Sequence, residues 1–339
     1  MNKHDKILLG HGSGGRLSHD LIRELFVSSF SNDVLRQQTD SALVEVEPGL
    51  ISFTTDSFVV DPIFFPGGDI GKLAVCGTVN DLSVSGAKPL YLSASFIIEE
   101  GFLFKDLETI VTSMADEARK AGVMVVTGDT KVVNRGKCDK LFITTTGIGI
   151  LDIKYRDIGT GKNIQPGDKL IINGSIGDHG MAILAARQEL NIQSHIKSDC
   201  ACLNGLIGDV LKVTDEIKFM RDPTRGGLAT VLAELVEGKS FGIKVEESSL
   251  VVSEKVRGFC ELLGFDPLYV ANEGKVLMVT SPGVAPKILD IMRKHELGKE
   301  SAVIGEITGS HPGKGWIDTG IGGKRIIDML SGEQLPRIC

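Results

Sequence analysis

Apolar residues recur through residues 105–122 at steps of three, four, seven, eight and eleven from Leu107, through Ile110, Val111, Met114, Ala115 and Ala118. That spacing is the period of one helix face, and Gly122 supplies a stop. Residues 73–86 read as a second helix, with Leu73, Gly77, Asp81 and Val84 near one side. Short apolar runs at 51–54, 90–98, 123–126 and 141–150 read as strands. Strand and helix alternate, so the first unit, roughly 40–155, is expected to be an α/β layer.

Residues 152–168 are polar and Gly-rich and end in Gln165-Pro166-Gly167-Asp168, which is turn chemistry and marks a boundary. A second unit follows to about residue 307, with strands expected at 169–173 and 276–280 and helices at 227–237 and 286–295. The last nine residues, 331–339, show no periodicity and read as a tail. The expected division is a domain over 1–155, a second over 156–330, and the tail.

Composition narrows the chemistry. A chain of 339 residues can bury a sizeable core without staples. Net charge is −7, aromatic residues are 5%, and there is one Trp. These exclude the basic footprint and the stacking platform of a nucleic-acid binder. No run of apolar residues is long enough for a membrane span, and the opening MNKHDKILLGHGSGG lacks the apolar core of a signal peptide. A cytoplasmic location is expected. The six cysteines form no C-x-x-C, and Cys200-Ala-Cys202 has no histidine pair at zinc-finger spacing. Five are expected to be buried small hydrophobes or inert thiols. Cys339 differs, being the final residue.

Gly10-His11-Gly12-Ser13-Gly14-Gly15 matches G-x-G-x-x-G after an apolar run. No acidic residue closes a second strand at the distance a dinucleotide fold needs, so it is either a phosphate-covering loop or a plain glycine turn. No P-loop motif is present. Asp residues are expected in Gly- or Thr-flanked turns at TTDS (54–57), TVND (78–81), TGDTK (127–131) and RDPTRGG (221–227). Each alone could cap a helix or turn. Together, with Lys131 and Arg225 nearby in sequence, they suit a magnesium–triphosphate site built from hard oxygen donors. Asp69 is expected to cap the helix that follows it, and that N-terminus could also help bind phosphate. Glu273, within Ala271-Asn272-Glu273-Gly274-Lys275, is either a surface-loop residue or a site carboxylate. His179, in Gly177-Asp178-His179-Gly180, is read first as a turn residue.

These motifs resemble the HypE family of hydrogenase maturation factors, within the PurM-like superfamily of ATP-using enzymes related to aminoimidazole ribonucleotide synthetase. The resemblance spans nearly the whole chain. It is carried by HGSGGR (11–16), TTDS (54–57), DPIFFPGGDIGKLAVCGTVNDLSVSGA (61–87), VTGDTKVV (126–133), GDHG (177–180), RDPTRGGL (221–228), ANEGK (271–275) and the terminal PRIC (336–339). It implies a two-domain PurM-like α/β (α+β) fold and a homodimer joined through the first domain's sheet. It also implies a carbamoyl group loaded onto the C-terminal thiol by the carbamoyltransferase HypF, its ATP-dependent dehydration to a thiocyanate, and delivery of the cyano group to iron on HypC–HypD.

Removing water from an S-carboxamide calls for a metal clamp on phosphate, a cation for developing oxygen charge, and a base. The expected metal ligands are Asp56, Asp81 and Asp222, for Mg2+. Asp56, Asn80, Asp81, Asp129, Thr130, Gly12, Gly14, Lys72 and Arg225 are expected around ATP. Lys131 would stabilise the amide oxygen or the transferred phosphoryl group. Glu273 is the expected base, with His179 in reserve, and Cys339 is the acceptor. Its own α-carboxylate is expected to raise the thiol pKa, opposed by Arg337. The rival expectations are a PurM-like enzyme acting on a free small molecule, and a scaffold whose tail only docks partners. A selenophosphate synthetase is disfavoured, because residues 11–16 lack its reactive Cys.

Overall fold

In the computed structural model, residues 5–12, 16–37, 42, 44, 46, 49–187, 195–329, 335 and 337–339 are described. Four strands form the first sheet: β1 (Leu50–Phe58), β2 (Ala87–Glu99), β3 (Met124–Val133) and β4 (Leu141–Leu151). Their spatial order is β1-β4-β2-β3. The β2/β3 pair is parallel and the other two are antiparallel. Helices α1 (Ile70–Val84) and α2 (Phe104–Ala121) are the two long helices of this unit. The periodicity of 105–122 is realised in α2, and Gly122 closes it in the left-handed conformation.

Two strands run further than their apolar runs. β1 continues through Asp56 and Ser57, and β3 carries Gly128, Asp129, Thr130 and Lys131 inside the strand rather than in a turn. Both are edge strands, so polar side chains can face water while the backbone still pairs on one side. Gly128 is required there, since a Cβ would stand 2.1 Å from the Ala94 carbonyl oxygen on β2.

α1 is buried almost all round, because it lies between the first sheet and the second domain. Asp69 caps it, accepting from the N–H groups of Gly71 at 2.8 Å and Lys72 at 3.0 Å.

The second domain holds seven strands: β5 (Lys169–Ile172), β6 (Ile217–Arg221), β7 (Gly242–Glu246), β8 (Leu277–Thr280), β9 (Ala302–Thr308), β10 (Gly315–Asp318) and β11 (Lys324–Ile327). Their order is β11-β10-β7-β9-β5-β8-β6, all antiparallel except β7/β10. Helices α3 (Asp178–Ala186), α4 (Asn204–Leu211), α5 (Gly227–Val236), α6 (Glu254–Leu263) and α7 (Ala285–Met292) accompany this sheet. The fold is a mixed α/β assembly with one large sheet per domain, plus a two-stranded ribbon of Phe64–Phe65 and Gly68–Asp69 just before α1.

Candidate active site

Register places Asp56 on the face of β1 that meets α1, since its cross-strand partner Thr145 bonds to Thr78 of that helix. Asp81 projects from α1 toward the same strand, and its Oδ2 accepts from Thr54 Oγ1 at 2.7 Å. Asp222 follows β6 and leads into the loop that carries Arg225. That loop turns at Gly226 and Gly227, both with positive φ, and a Cβ on Gly227 would stand 2.4 Å from the Leu268 carbonyl oxygen. Burial, then the charge of Asp81, pushes the Asp56 carboxyl up to about 6, against the pull of Arg225. Burial, then Asp81, with Asp56 also contributing, pushes Asp222 up to about 7. Glu273 lies well above the usual carboxylate range, through burial and then its neighbours Cys200, Asp222, Asp199 and Asp56. These oxygens crowd together short of positive charge. Hard carboxylate donors in charge deficit fit Mg2+, and Asp56, Asp81 and Asp222 are the residues that would hold it.

The end of the chain comes to this cluster. The Val59 N–H donates to the Cys339 carbonyl at 3.2 Å, and the Asp61 N–H to the Arg337 carbonyl at 3.1 Å. Arg337 adopts φ 52°, a left-handed kink. Its Nε donates to the Val59 carbonyl at 3.1 Å, and its guanidinium pairs with Asp139. Arg187 Nη2 also donates to the Arg337 carbonyl, at 3.1 Å. Ile338 is 3% exposed and packs into the first domain's core. Burial, then Glu273, pushes the Cys339 thiol up to about 12; Arg225 opposes this and Asp56 adds to it. Burial, not the chain's own α-carboxylate, leads this upward shift, and the opposing cation is Arg225, not Arg337. Cys339, Glu273, Arg225, Asp56 and Asp222 are therefore one neighbourhood.

His179 is a tail contact. Its Nε2 lies 2.8 Å from the Ile338 carbonyl oxygen, and its Nδ1 lies 2.8 Å from Ser198 Oγ. A carbonyl only accepts, so Nε2 carries the proton and Nδ1 accepts from the serine hydroxyl. Burial lowers the pKa of the ring, keeping it neutral. With both nitrogens engaged, His179 fits the role of reserve base poorly.

Other expected residues are placed elsewhere. Asn80 is buried, and its amide is committed to backbone. Nδ2 donates to the carbonyls of Ala201 at 3.1 Å and Glu273 at 3.3 Å, and Oδ1 accepts from the Leu203 N–H at 2.8 Å. It joins α1 to the second domain, with both amide hydrogens spent on backbone carbonyls. Asp129 and Lys131 pair with each other at 2.6 Å. They lie three strands from β1, about 14 Å at normal strand spacing, and register puts them on the opposite sheet face from Asp56. A cavity of about 220 Å3 is lined by Gly12, Phe26, Thr130, Asp129 and Lys131 among others. Lys72 Nζ donates to the Gly67 carbonyl at 3.1 Å, at the start of α1. Gly14 lies outside the described residues.

Asp199 was missed. Its carboxylate accepts from the N–H groups of Glu273 at 3.0 Å and Gly274 at 3.2 Å, and pairs with Lys275 at 3.1 Å. Burial pushes Asp199 up, but Lys275, His179 and the Glu273 N–H outweigh it and hold the carboxyl below its ordinary value. Asn272 completes the loop, accepting from the Gly177 N–H and donating to the Pro223 carbonyl, each at 2.8 Å. No local motif in Ser198-Asp199-Cys200 announces this role.

The chain matches the AIR synthase related protein families, N-terminal domain over residues 38–151 and C-terminal domain over 165–318. It is 49% identical to the carbamoyl dehydratase HypE of Azotobacter vinelandii, over 97% of this chain and 96% of that protein. Its fold resembles the crystal structure of a hydrogenase maturation protein HypE in complex with ATP, with a TM-score of 0.93 and 47% identity over 98% of this chain and 99% of that one. It also resembles a chain in a HypE–HypF complex, with a TM-score of 0.79 and 51% identity over 91% and 99% of the two chains.

Proposed function

The chain belongs to the HypE family of carbamoyl dehydratases, built from the two AIR synthase related domains, and we propose that it dehydrates a carbamoyl group carried on its own Cys339 to a thiocyanate, at the expense of ATP. The observation that carries this reading is the inward seat of the terminal thiol, beside Glu273, Arg225 and Asp56. A small-molecule enzyme has no need to bury its own last residue there.

The carbamoyl oxygen must leave and both amide N–H protons must depart, so that the carbon stays on sulfur as a nitrile. ATP supplies the phosphoryl group that makes the oxygen a leaving group, and ADP and phosphate are released. When bound, Mg2+ on Asp56, Asp81 and Asp222 would neutralise phosphate charge. Glu273, in its carboxylate form, is the base for one amide proton, and the departing phosphate carries away the second. Arg225 offers positive charge to the oxygen. Asp199 fixes Glu273 through its backbone, and His179 fixes the tail through Ile338. Lys131, Asp129, Thr130 and Gly12 line a cavity at β3, from which they would serve a nucleotide held by a second copy of the chain packed on that sheet.

A second copy of the chain would cover the outer face of the first sheet, where Phe53 is 68% and Ile51 57% exposed. Register continues that face across Ile148 and Tyr91. The loading partner is a HypF-type carbamoyltransferase, as in the complex of the relative, and a HypC–HypD complex receives the cyano group. No described helix is long and apolar enough to cross a membrane. A free acceptor thiol and a need for ATP agree with the reducing cytoplasm.

Intact-protein mass spectrometry after incubation with the carbamoyltransferase, carbamoyl phosphate and ATP tests the reading. The expected result is a gain of one CONH unit on the terminal peptide, then the loss of one water that requires ATP. A tail that gains the group and never loses water under these conditions would overturn it.

A further inference from the structure

Behind the tail pocket, three side chains from separate elements converge. Cys76 comes from α1, Glu117 from α2, and Cys202 from the segment that leads into α4. The Cys202 and Cys76 sulfurs are 3.6 Å apart, and the Cys76 sulfur is 3.8 Å from Glu117 Oε1. All three donor atoms lie within 4.8 Å of one another. A tetrahedral zinc ion, with bonds of about 2.3 Å to sulfur and about 2.1 Å to oxygen, needs edges of roughly 3.8 Å and roughly 3.6 Å. The two edges that meet at Cys76 match these values, and the third lies within 4.8 Å.

The surroundings hold this geometry in place. Asn80 lies one helical turn after Cys76 on α1, and its amide binds the backbone of Ala201 and Leu203, the two residues that flank Cys202. Cys202 is thereby set over α1 by contacts that involve no thiol. Glu117 is buried, and Lys120 approaches its second oxygen at 3.3 Å, leaving Oε1 toward the sulfur. Cys200 also lies against the Cys76 thiol, and a water could fill the fourth position. Cys202 is half-buried, so an ion can reach the group from outside.

We propose that Cys76, Cys202 and Glu117 form a zinc site that ties α1 and α2 of the first domain to the second domain's segment beside Glu273. Two thiolates and a carboxylate select a borderline-soft ion such as Zn2+ over the Mg2+ suited to Asp56, Asp81 and Asp222. Binding forms two Zn–S bonds and one Zn–O bond and releases the two thiol protons, with no change of oxidation state. The site would brace the loop that presents Glu273, whose carbonyl also accepts from Asn80.

The test is titration of the reduced, full-length protein with Co2+, followed by displacement with Zn2+. The expected result is one cobalt ion per chain, a thiolate-to-cobalt charge-transfer band in the near ultraviolet, and its loss when zinc is added. Cys202→Ser and Glu117→Gln should each weaken zinc binding about 10–100-fold, measured against a chromophoric chelator. Cys339→Ala should keep the band. Zinc should also shield Cys76 and Cys202 from alkylation in peptide mapping, a readout on the unmodified protein if a variant fails to fold. Absence of the band, or a band that survives Cys202→Ser and disappears in Cys339→Ala, would overturn the proposal.

Discussion

His179 Nε2 donates to the carbonyl oxygen of Ile338 at 2.8 Å, joining the first turn of α3 to the penultimate residue of the chain. The imidazole is neutral and fully buried, so this bond holds the tail and leaves no free nitrogen for proton transfer. His179→Ala is expected to destabilise the docked tail by about 1–3 kcal/mol. Alkylation of Cys339 should accelerate, while the rate of dehydration once a loaded tail is seated changes less. A loss confined to the chemical step, with alkylation unchanged, would make His179 a catalytic residue after all.

The same residue sets a pH response. Its folded pKa lies below the ordinary 6.5, so the unfolded chain binds more protons below that value. Its contribution to stability is present above pH 6.5 and is lost as pH falls toward the folded pKa. Denaturant titrations at several pH values should show a smaller acid penalty in His179→Gln than in the parent protein.

The carboxylates respond with the opposite sign. Asp56 and Asp222 are raised from 3.8 to about 6 and about 7, so between those limits the folded state binds more protons than the unfolded one. In the absence of divalent cation, their contribution weakens stability as pH climbs through that window. Asp222→Asn should flatten this dependence and weaken binding of Mg·ATP in calorimetry. An unchanged pH profile together with unchanged affinity would remove Asp222 from the cation site.

Raising the Cys339 thiol from 9.0 to about 12 leaves roughly 1,000-fold less thiolate near pH 8 than an ordinary cysteine has. Alkylation of Cys339 in the folded protein should therefore be slower, by up to that factor, than in the denatured chain. Peptide mapping gives both rates. Cys339→Ala should abolish cyanation with ATP binding retained.

Lys131 and Asn80 separate chemistry from architecture. The Lys131–Asp129 pair is solvent-exposed, so Lys131→Ala should change stability by no more than about 0.5 kcal/mol. The tail should accumulate its carbamoyl group without losing water. Asn80→Ala strips partners from three buried backbone groups and should lower the melting temperature, with ATP affinity retained in the folded fraction. Loss of ATP affinity in a fully folded Asn80→Ala protein would restore Asn80 to the nucleotide site.

The periodicity of α2 and its glycine stop were legible because one face of that helix is buried and the other is wet. The carboxylates proposed to hold Mg2+, Asp56, Asp81 and Asp222, could be picked out because each stands in a polar stretch beside an apolar run. Asp129 and Lys131 were misplaced in a turn, since an edge strand tolerates the polar residues that mark loops elsewhere. Asn80 and Asp199 act through backbone groups distant in sequence, and a local pattern carries no trace of such partners. Most strands of the second sheet were invisible for a related reason. β6, β7, β10 and β11 are short and interrupted by charged residues, whereas the equally short β5 and β8 are nearly uniform apolar runs.

Ile338, sealed in the core, gives the enzyme a clock. In the proposed cycle each loading draws that side chain into water and returns it, and each exposure opposes the hydrophobic effect by about 2 kcal/mol. Where egress of the terminus is slower than the chemistry, it sets a ceiling on output. Faster bond-breaking would leave that ceiling where it is, whereas a smaller residue at position 338 would lift it and, in exchange, let water reach the bound intermediate.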